Sequence, residues 1–208
     1  VPVFKNGDKN VLFIHVPKTG GTSVEKIFTD SGYEKYLYDK SYGKDSPNYL
    51  RRSSPQHLHA ELLRATLRLN RFDVIFMTTR EPMARFKSEY AMRNKENLEP
   101  ANQRVEEWTD SAFSKYMADP FVHDNHLRPQ SEFYLPGCIV YRLEDGLESI
   151  VNDLNTKHGL NLSSDIPRSM DRQKRSGHSS KDVVVPENVE RRVKEFYYDD
   201  FAKFGYEL

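Results

Sequence analysis

The chain has 208 residues, enough for a single domain with its own core and no need of disulfide or metal staples. Lys+Arg and Asp+Glu each number 31, so the formal charge is zero; this argues against a nucleic-acid partner, though not against a local basic cleft. One cysteine, Cys138, excludes a disulfide framework and a multi-cysteine zinc site, and a 12% aromatic content excludes a disordered chain.

The first ten residues carry no apolar stretch of signal-peptide length, and no segment is apolar for long enough to span a bilayer. Val11 to Val16 is short, β-branched and apolar apart from His15, and reads as a buried strand. Pro17-Lys18-Thr19-Gly20-Gly21 breaks it, and Thr22 to Asp30 has helical spacing at Val24, Ile27 and Phe28. Gln56 to Leu69 has helical periodicity. Asp73 to Thr79 is a second strand, ended by Arg80-Glu81; Pro82 then opens a helix running to about Arg93. Arg104 to Met117 is another helix. Cys138 to Tyr141 is a third strand, followed by a helix with Leu147, Ile150, Val151 and Leu154 on one face and Gly159 past its end. Pro186 to Phe204 closes the chain with Val189, Val193, Phe196 and Phe201 inward. Strands alternating with helices predict one α/β domain over residues 1–208, with a mostly parallel central sheet flanked by helices in three layers. Two long loops, about 41–55 and 163–185, are rich in Ser, Lys and Arg.

The turn after the first strand has the makings of an anion cradle. Gly20 and Gly21 let backbone N–H groups approach an oxyanion, the following helix adds its positive end, Lys18 adds a full charge, and Thr19, Thr22 and Ser23 add hydroxyls. A plain glycine turn with capping Thr and Ser is the simpler alternative. The nucleotide-triphosphate loop GxxxxGK[ST] does not fit, because Lys18 precedes both glycines. No strand ends in an obvious acidic group for magnesium, so anion binding without a metal is expected.

Pro17-Lys18-Thr19-Gly20-Gly21-Thr22-Ser23 after an apolar strand resembles the 5′-phosphosulfate loop of sulfotransferases, which use 3′-phosphoadenosine 5′-phosphosulfate (PAPS). That family carries a second motif, an Arg at a strand end and a Ser after seven intervening residues; Arg80 and Ser88 occupy those places here. The wording is closest to the heparan sulfate 2-O- and 6-O-sulfotransferases and their bacterial relatives. The resemblance implies a P-loop-like core, sulfuryl transfer to a hydroxyl, most readily on a carbohydrate, release of PAP, and no metal. It gives Lys18 the charge on the leaving group, the loop residues Thr19, Gly20, Gly21, Thr22 and Ser23 the 5′-phosphate, and Arg80 and Ser88 the 3′-phosphate. The reading competes with a P-loop kinase or triphosphatase and with a non-catalytic nucleotide- or sulfated-glycan-binding module.

An acceptor hydroxyl needs a general base, and histidine suits neutral pH. His57 and His59 fall in the segment where the resembled branch carries its catalytic His; His59 is the first choice and His57 the second. His15 inside a strand reads as structural. Asn125, His126, Arg128 and Gln130 lie in a donor-rich stretch similar to one in bacterial relatives and are candidates for acceptor binding, with an ordinary polar loop as the alternative. Related enzymes close over the nucleotide with a basic late loop, which points to Arg175 and Ser176. Glu61, Glu81 and Glu89 lie beside the motifs and could each orient a His or Arg, with surface charge as the simpler reading. One cysteine and no export signal fit a cytoplasmic setting; with no initiator Met, a trimmed luminal domain of a membrane-anchored enzyme is the alternative. Oligomeric state and acceptor identity are not legible.

Overall fold

The computed structural model describes residues 1–94, 102–166 and 180–208. Its five strands are β1 (Val3–Asn6), β2 (Lys9–Ile14), β3 (Glu34–Tyr36), β4 (Val74–Thr79) and β5 (Ile139–Arg142). They form one sheet in the order β3-β1-β2-β4-β5. The three expected strands are the parallel part: Phe13 pairs with Phe76, and Phe76 with Ile139. The other two pairings are antiparallel, so the parallel character is confined to β2, β4 and β5. The difference arises at Gly7-Asp8, a two-residue turn with Gly7 at φ +55° that folds β1 back on β2. A glycine at the first central position is what such a hairpin turn requires.

Seven α-helices surround the sheet among the described residues: α1 (Gly21–Asp30), α2 (Ala60–Thr66), α3 (Pro82–Arg93), α4 (Asn102–Ala118), α5 (Leu147–His158), α6 (Glu187–Phe196) and α7 (Tyr198–Phe204). Strand side chains alternate between the two faces. Val11, Phe13, Val74 and Phe76 pack with α1 and α5 residues such as Phe28 and Leu154. Leu12, Ile14 and Met77 pack on the other face with Leu63 of α2 and Phe204 of α7. Helices thus cover both faces, as a largely buried sheet demands. A third cluster contains no strand residue and joins α3, α4 and α6 through Phe86, Tyr90, Val105, Val189 and Val193.

Two expected helices are interrupted. The Gln56–Leu69 stretch becomes a 3-10 turn at Pro55–His57, two extended residues and then α2. The closing helix breaks at Tyr197 into α6 and α7. Both interruptions matter for the site.

Candidate functional site

The turn between β2 and α1 keeps the helix end open. Gly20, at φ +84°, is the N-cap of α1 and supplies no capping side chain. Its carbonyl takes the N–H groups of Ser23 and Val24, at 2.9 and 3.3 Å. Helix geometry gives the N–H groups of Gly21 and Thr22 no intrahelical acceptor. Thr22 is exposed, Ser23 and Lys18 are half-buried, and no acidic residue sits in the first turn. This end therefore suits an anionic oxygen. Thr19 is turned inward instead: its hydroxyl donates to Val16 O and accepts from the Thr78 hydroxyl, each at 2.8 Å. What Thr19 can offer an anion is its backbone N–H. Lys18, with φ +71°, reaches Met92 Sδ on α3 at 3.6 Å.

Arg80 follows β4 directly, one strand away. Its guanidinium stands 3.5 Å from the carbonyl of Lys18, so the glycine turn and Arg80 border the same space. Ser88 lies buried two turns along α3. Glu81 is the N-cap of that helix, its carboxylate accepting from Met83 N and Ala84 N. Arg85, between Arg80 and Ser88, is almost fully buried. It donates to the carbonyls of Pro17, His126 and Arg128 at 3.0, 2.8 and 2.9 Å. It thereby ties the glycine turn to the 126–128 segment.

Beneath the turn lies a row of three imidazoles. His15 and His57 meet edge to face with centroids 5.0 Å apart, and so do His57 and His126. Each presents Nδ1 to a carboxylate: His15 to Glu25 at 2.7 Å, His57 to Asp124 at 2.8 Å and His126 to Glu89 at 2.7 Å. Burial would raise these acids, but the hydrogen bonds and charges around them win. Glu25 is held at about 2 by His15, Lys35 and Gln56. Glu89 is held at about 2 by His126 and Arg93. Asp124 is lowered by His57 and Ser54. Each Nδ1–H donates to an ionised carboxylate, which leaves Nε2 as the ring nitrogen not engaged by an acid. Burial lowers His15 to about 4 despite Glu25, and burial also lowers His126. The His15 ring packs directly against Gly21.

His59 is placed differently. It is the N-cap of α2, its buried Nδ1 has no hydrogen-bond partner, and its ring packs edge-on against Phe121. Its nearest acid is Glu61, 3.7 Å from Nε2 and largely exposed. Burial, then the Arg128 charge, lower its pKa. Of the two candidates, only His57 has a carboxylate on Nδ1 and a ring against His15, which itself packs on Gly21.

Asn125, Arg128 and Gln130, expected either as acceptor contacts or as an ordinary polar loop, are buried. Asn125 is fully buried, donating to His57 O and accepting from Arg128 Nε at 2.8 and 3.0 Å. Arg128 is further bonded to Glu132 and Pro120 O. Gln130 is fully buried against the backbone of Arg80. They build the site; His126 alone of the four keeps partial exposure. Arg175 and Ser176 lie outside the described residues. Of the acids beside the motifs, Glu89 takes the orienting role, as a buried partner of His126 and Arg93, and the half-buried Glu81 caps α3. Glu25, Asp124 and Asp200 were not found from the sequence. The spacing of Glu25, four residues past Gly21, was the one local hint.

Residues 2–207 match the family model described as the Sulfotransferase family. No curated protein and no solved structure matches. The matched span takes in the glycine turn, the row of histidines and the Arg80–Ser88 helix start, and the chain belongs to the sulfotransferase family, whose chemistry is sulfuryl transfer.

Proposed function

We propose that this chain moves the sulfuryl group of PAPS to an acceptor hydroxyl on a carbohydrate and releases PAP, using a P-loop-like turn. The observation that carries the reading is the proximity of two anion-binding elements, with the Arg80 guanidinium 3.5 Å from the Lys18 carbonyl. The open N-terminus of α1, uncapped and free of acids in its first turn, fits the donor's 5′-phosphate. When bound, the donor supplies a sulfuryl group on a phosphate leaving group. The Lys18 ammonium then offsets the charge that grows on the departing oxygen. The backbone of the turn, with Thr22 and Ser23, holds the 5′-phosphate; Arg80 and Ser88 hold the 3′-phosphate.

His57 takes the role of base. Its Nε2 accepts the proton of the acceptor hydroxyl, and Asp124 steadies the imidazolium that forms while fixing the tautomer. Asp124 is itself anchored by Ser54 N and the Ser54 hydroxyl, at 2.6 and 2.7 Å. The carbohydrate acceptor rests on the resemblance to the glycan sulfotransferases.

The test is calorimetric titration of PAP and ATP in EDTA, on wild type and Arg80→Ala. PAP should bind wild type far more tightly than ATP, and the variant should lose that margin. Equal affinity for the two nucleotides would overturn the donor assignment. Turnover on a panel of oligosaccharides with PAPS follows, where His57→Ala should abolish sulfation with PAP binding intact. The same loss in His59→Ala alone would move the base to His59.

A further inference from the structure

The last rung of the β4–β5 ladder pairs Thr79 with Arg142, so Arg80 is the first residue of β4's extension with no strand beside it. Its backbone N–H and C=O nevertheless need partners, as backbone polar groups away from water do. Both are taken by one side chain. Arg80 N–H donates to Gln130 Oε1 at 2.9 Å, and Gln130 Nε2 donates to Arg80 O at 2.8 Å. Gln130 reproduces, with its amide, the paired bonds that a neighbouring strand would make. Two bonds to one residue fix the position of its backbone, and with it the root of the Arg80 side chain.

Gln130 is in turn fixed from the other end of the chain. Its backbone N–H donates to Asp200 Oδ2 at 2.8 Å, and that of Ser131 donates to Asp200 Oδ1 at 2.7 Å. Asp200 and Gln130 are both fully buried. Asp200 sits on α7 next to Phe201, which is packed in the third core. A continuous hydrogen-bonded path therefore runs from the closing helix through Gln130 to Arg80.

We propose that Gln130 is the positioning residue for the 3′-phosphate site, holding Arg80 where its guanidinium can discriminate a nucleotide bearing that phosphate from one lacking it. This rests on the donor assignment made above. The amide supplies one donor and one acceptor at the right reach. An ionised Glu cannot donate to Arg80 O, and Leu or Met can bond neither group.

The experiment titrates PAP and adenosine 5′-phosphate, which lacks the 3′-phosphate, into wild type, Arg80→Ala, Gln130→Glu and Gln130→Met. Wild type should prefer PAP, and Arg80→Ala should erase the preference. Both Gln130 variants should weaken PAP about tenfold, as expected for loss of one or two buried hydrogen bonds, and leave adenosine 5′-phosphate unchanged. Folding is checked by circular dichroism, and either folded Gln130 variant suffices. The proposal is overturned if a folded Gln130 variant keeps the wild-type ratio, or if it loses both nucleotides equally, which is what a merely structural role would give. Wild type failing to prefer PAP, or Arg80→Ala leaving the ratio intact, would instead sink the donor assignment itself.

Discussion

Gly21→Ala is the sharpest probe of how the glycine turn is built. A β-carbon at Gly21 would stand 2.1 Å from Nε2 of His15, 2.4 Å from Cδ2 and 2.6 Å from Cε1. Ordinary contact begins near 3.4 Å, so the ring or the turn must move by about 1.3 Å. The ring has little room to do so, because Glu25 holds Nδ1, Phe13 stacks on one side and His57 lies edge-on. Overpacking of this kind costs roughly 1–3 kcal/mol, and the size of the overlap puts Gly21→Ala at about 3 kcal/mol. Urea unfolding of wild type, Gly21→Ala, His15→Ala and the double variant measures it. Removing the ring should make room for the methyl, so the glycine substitution should cost little in the His15→Ala background. An equal cost in both backgrounds would show that the imidazole is not what requires glycine there. Gly7→Ala is the control: Gly7 also has positive φ, but nothing lies within 4 Å, so only backbone strain of about 1 kcal/mol is expected.

Asp124→Asn should lower kcat for sulfation about hundredfold while PAP affinity stays within twofold, because the lost charge faces His57 and not the nucleotide; steady-state kinetics beside calorimetry reads both, and an unchanged kcat would remove Asp124 from the base. Acid should destabilise the fold before the carboxylates titrate. His15 has its folded pKa depressed from 6.5 to about 4, so its contribution is whole above pH 6.5 and lost as pH falls towards 4; Glu25, depressed to about 2, adds its own loss only below about pH 4.5. Urea unfolding at pH 7 and pH 5 should differ by about 2 kcal/mol on account of His15, and His15→Gln should flatten that slope; an unchanged slope would refute the assignment.

The elements that build the parallel sheet were legible because each is an apolar run bounded by Gly, Pro or charge. The β1 hairpin was missed although Gly7-Asp8 signals it, because β1 is only four residues long and half polar. The glycine turn and Arg80 stand out in the sequence because their residue types and their places at strand ends are local properties. The carboxylates do not. Glu25 lies ten residues from His15, Glu89 lies 37 from His126, and Asp124 lies 67 from His57. Such pairs are set by the packing of α1 and α3 against the loops, and no sequence period encodes them. The same cause hides the burial of Asn125, Arg128 and Gln130. A polar stretch reads as a solvated loop until the fold turns its side chains inward, where each must find partners. The break at Leu58, which makes His59 an N-cap packed on Phe121, has no signal in the periodicity of this stretch.

The backbone around His57 shows how strongly this arrangement is specified. His123, Asp124 and Asn125 are all left-handed, with φ of +54°, +59° and +62°. Left-handed residues other than glycine normally occur singly, and each costs roughly 1–2 kcal/mol. Three in succession must be held by something. Asp124 accepts three hydrogen bonds, from Ser54 N, the Ser54 hydroxyl and His57; Asn125 makes two, and Arg93 donates to His123 O at 3.4 Å. Hydrogen bonds to an ionised group contribute roughly 1.5–3 kcal/mol each, enough to offset the strain. His, Asp and Asn are also the residue types that tolerate this region best. The turn delivers Asp124 to His57 Nδ1, Asn125 to His57 O and His126 to Glu89 with three consecutive residues. A relaxed loop would leave that geometry to chance. The strain is therefore the cost of an imidazole whose orientation is fixed by the fold itself.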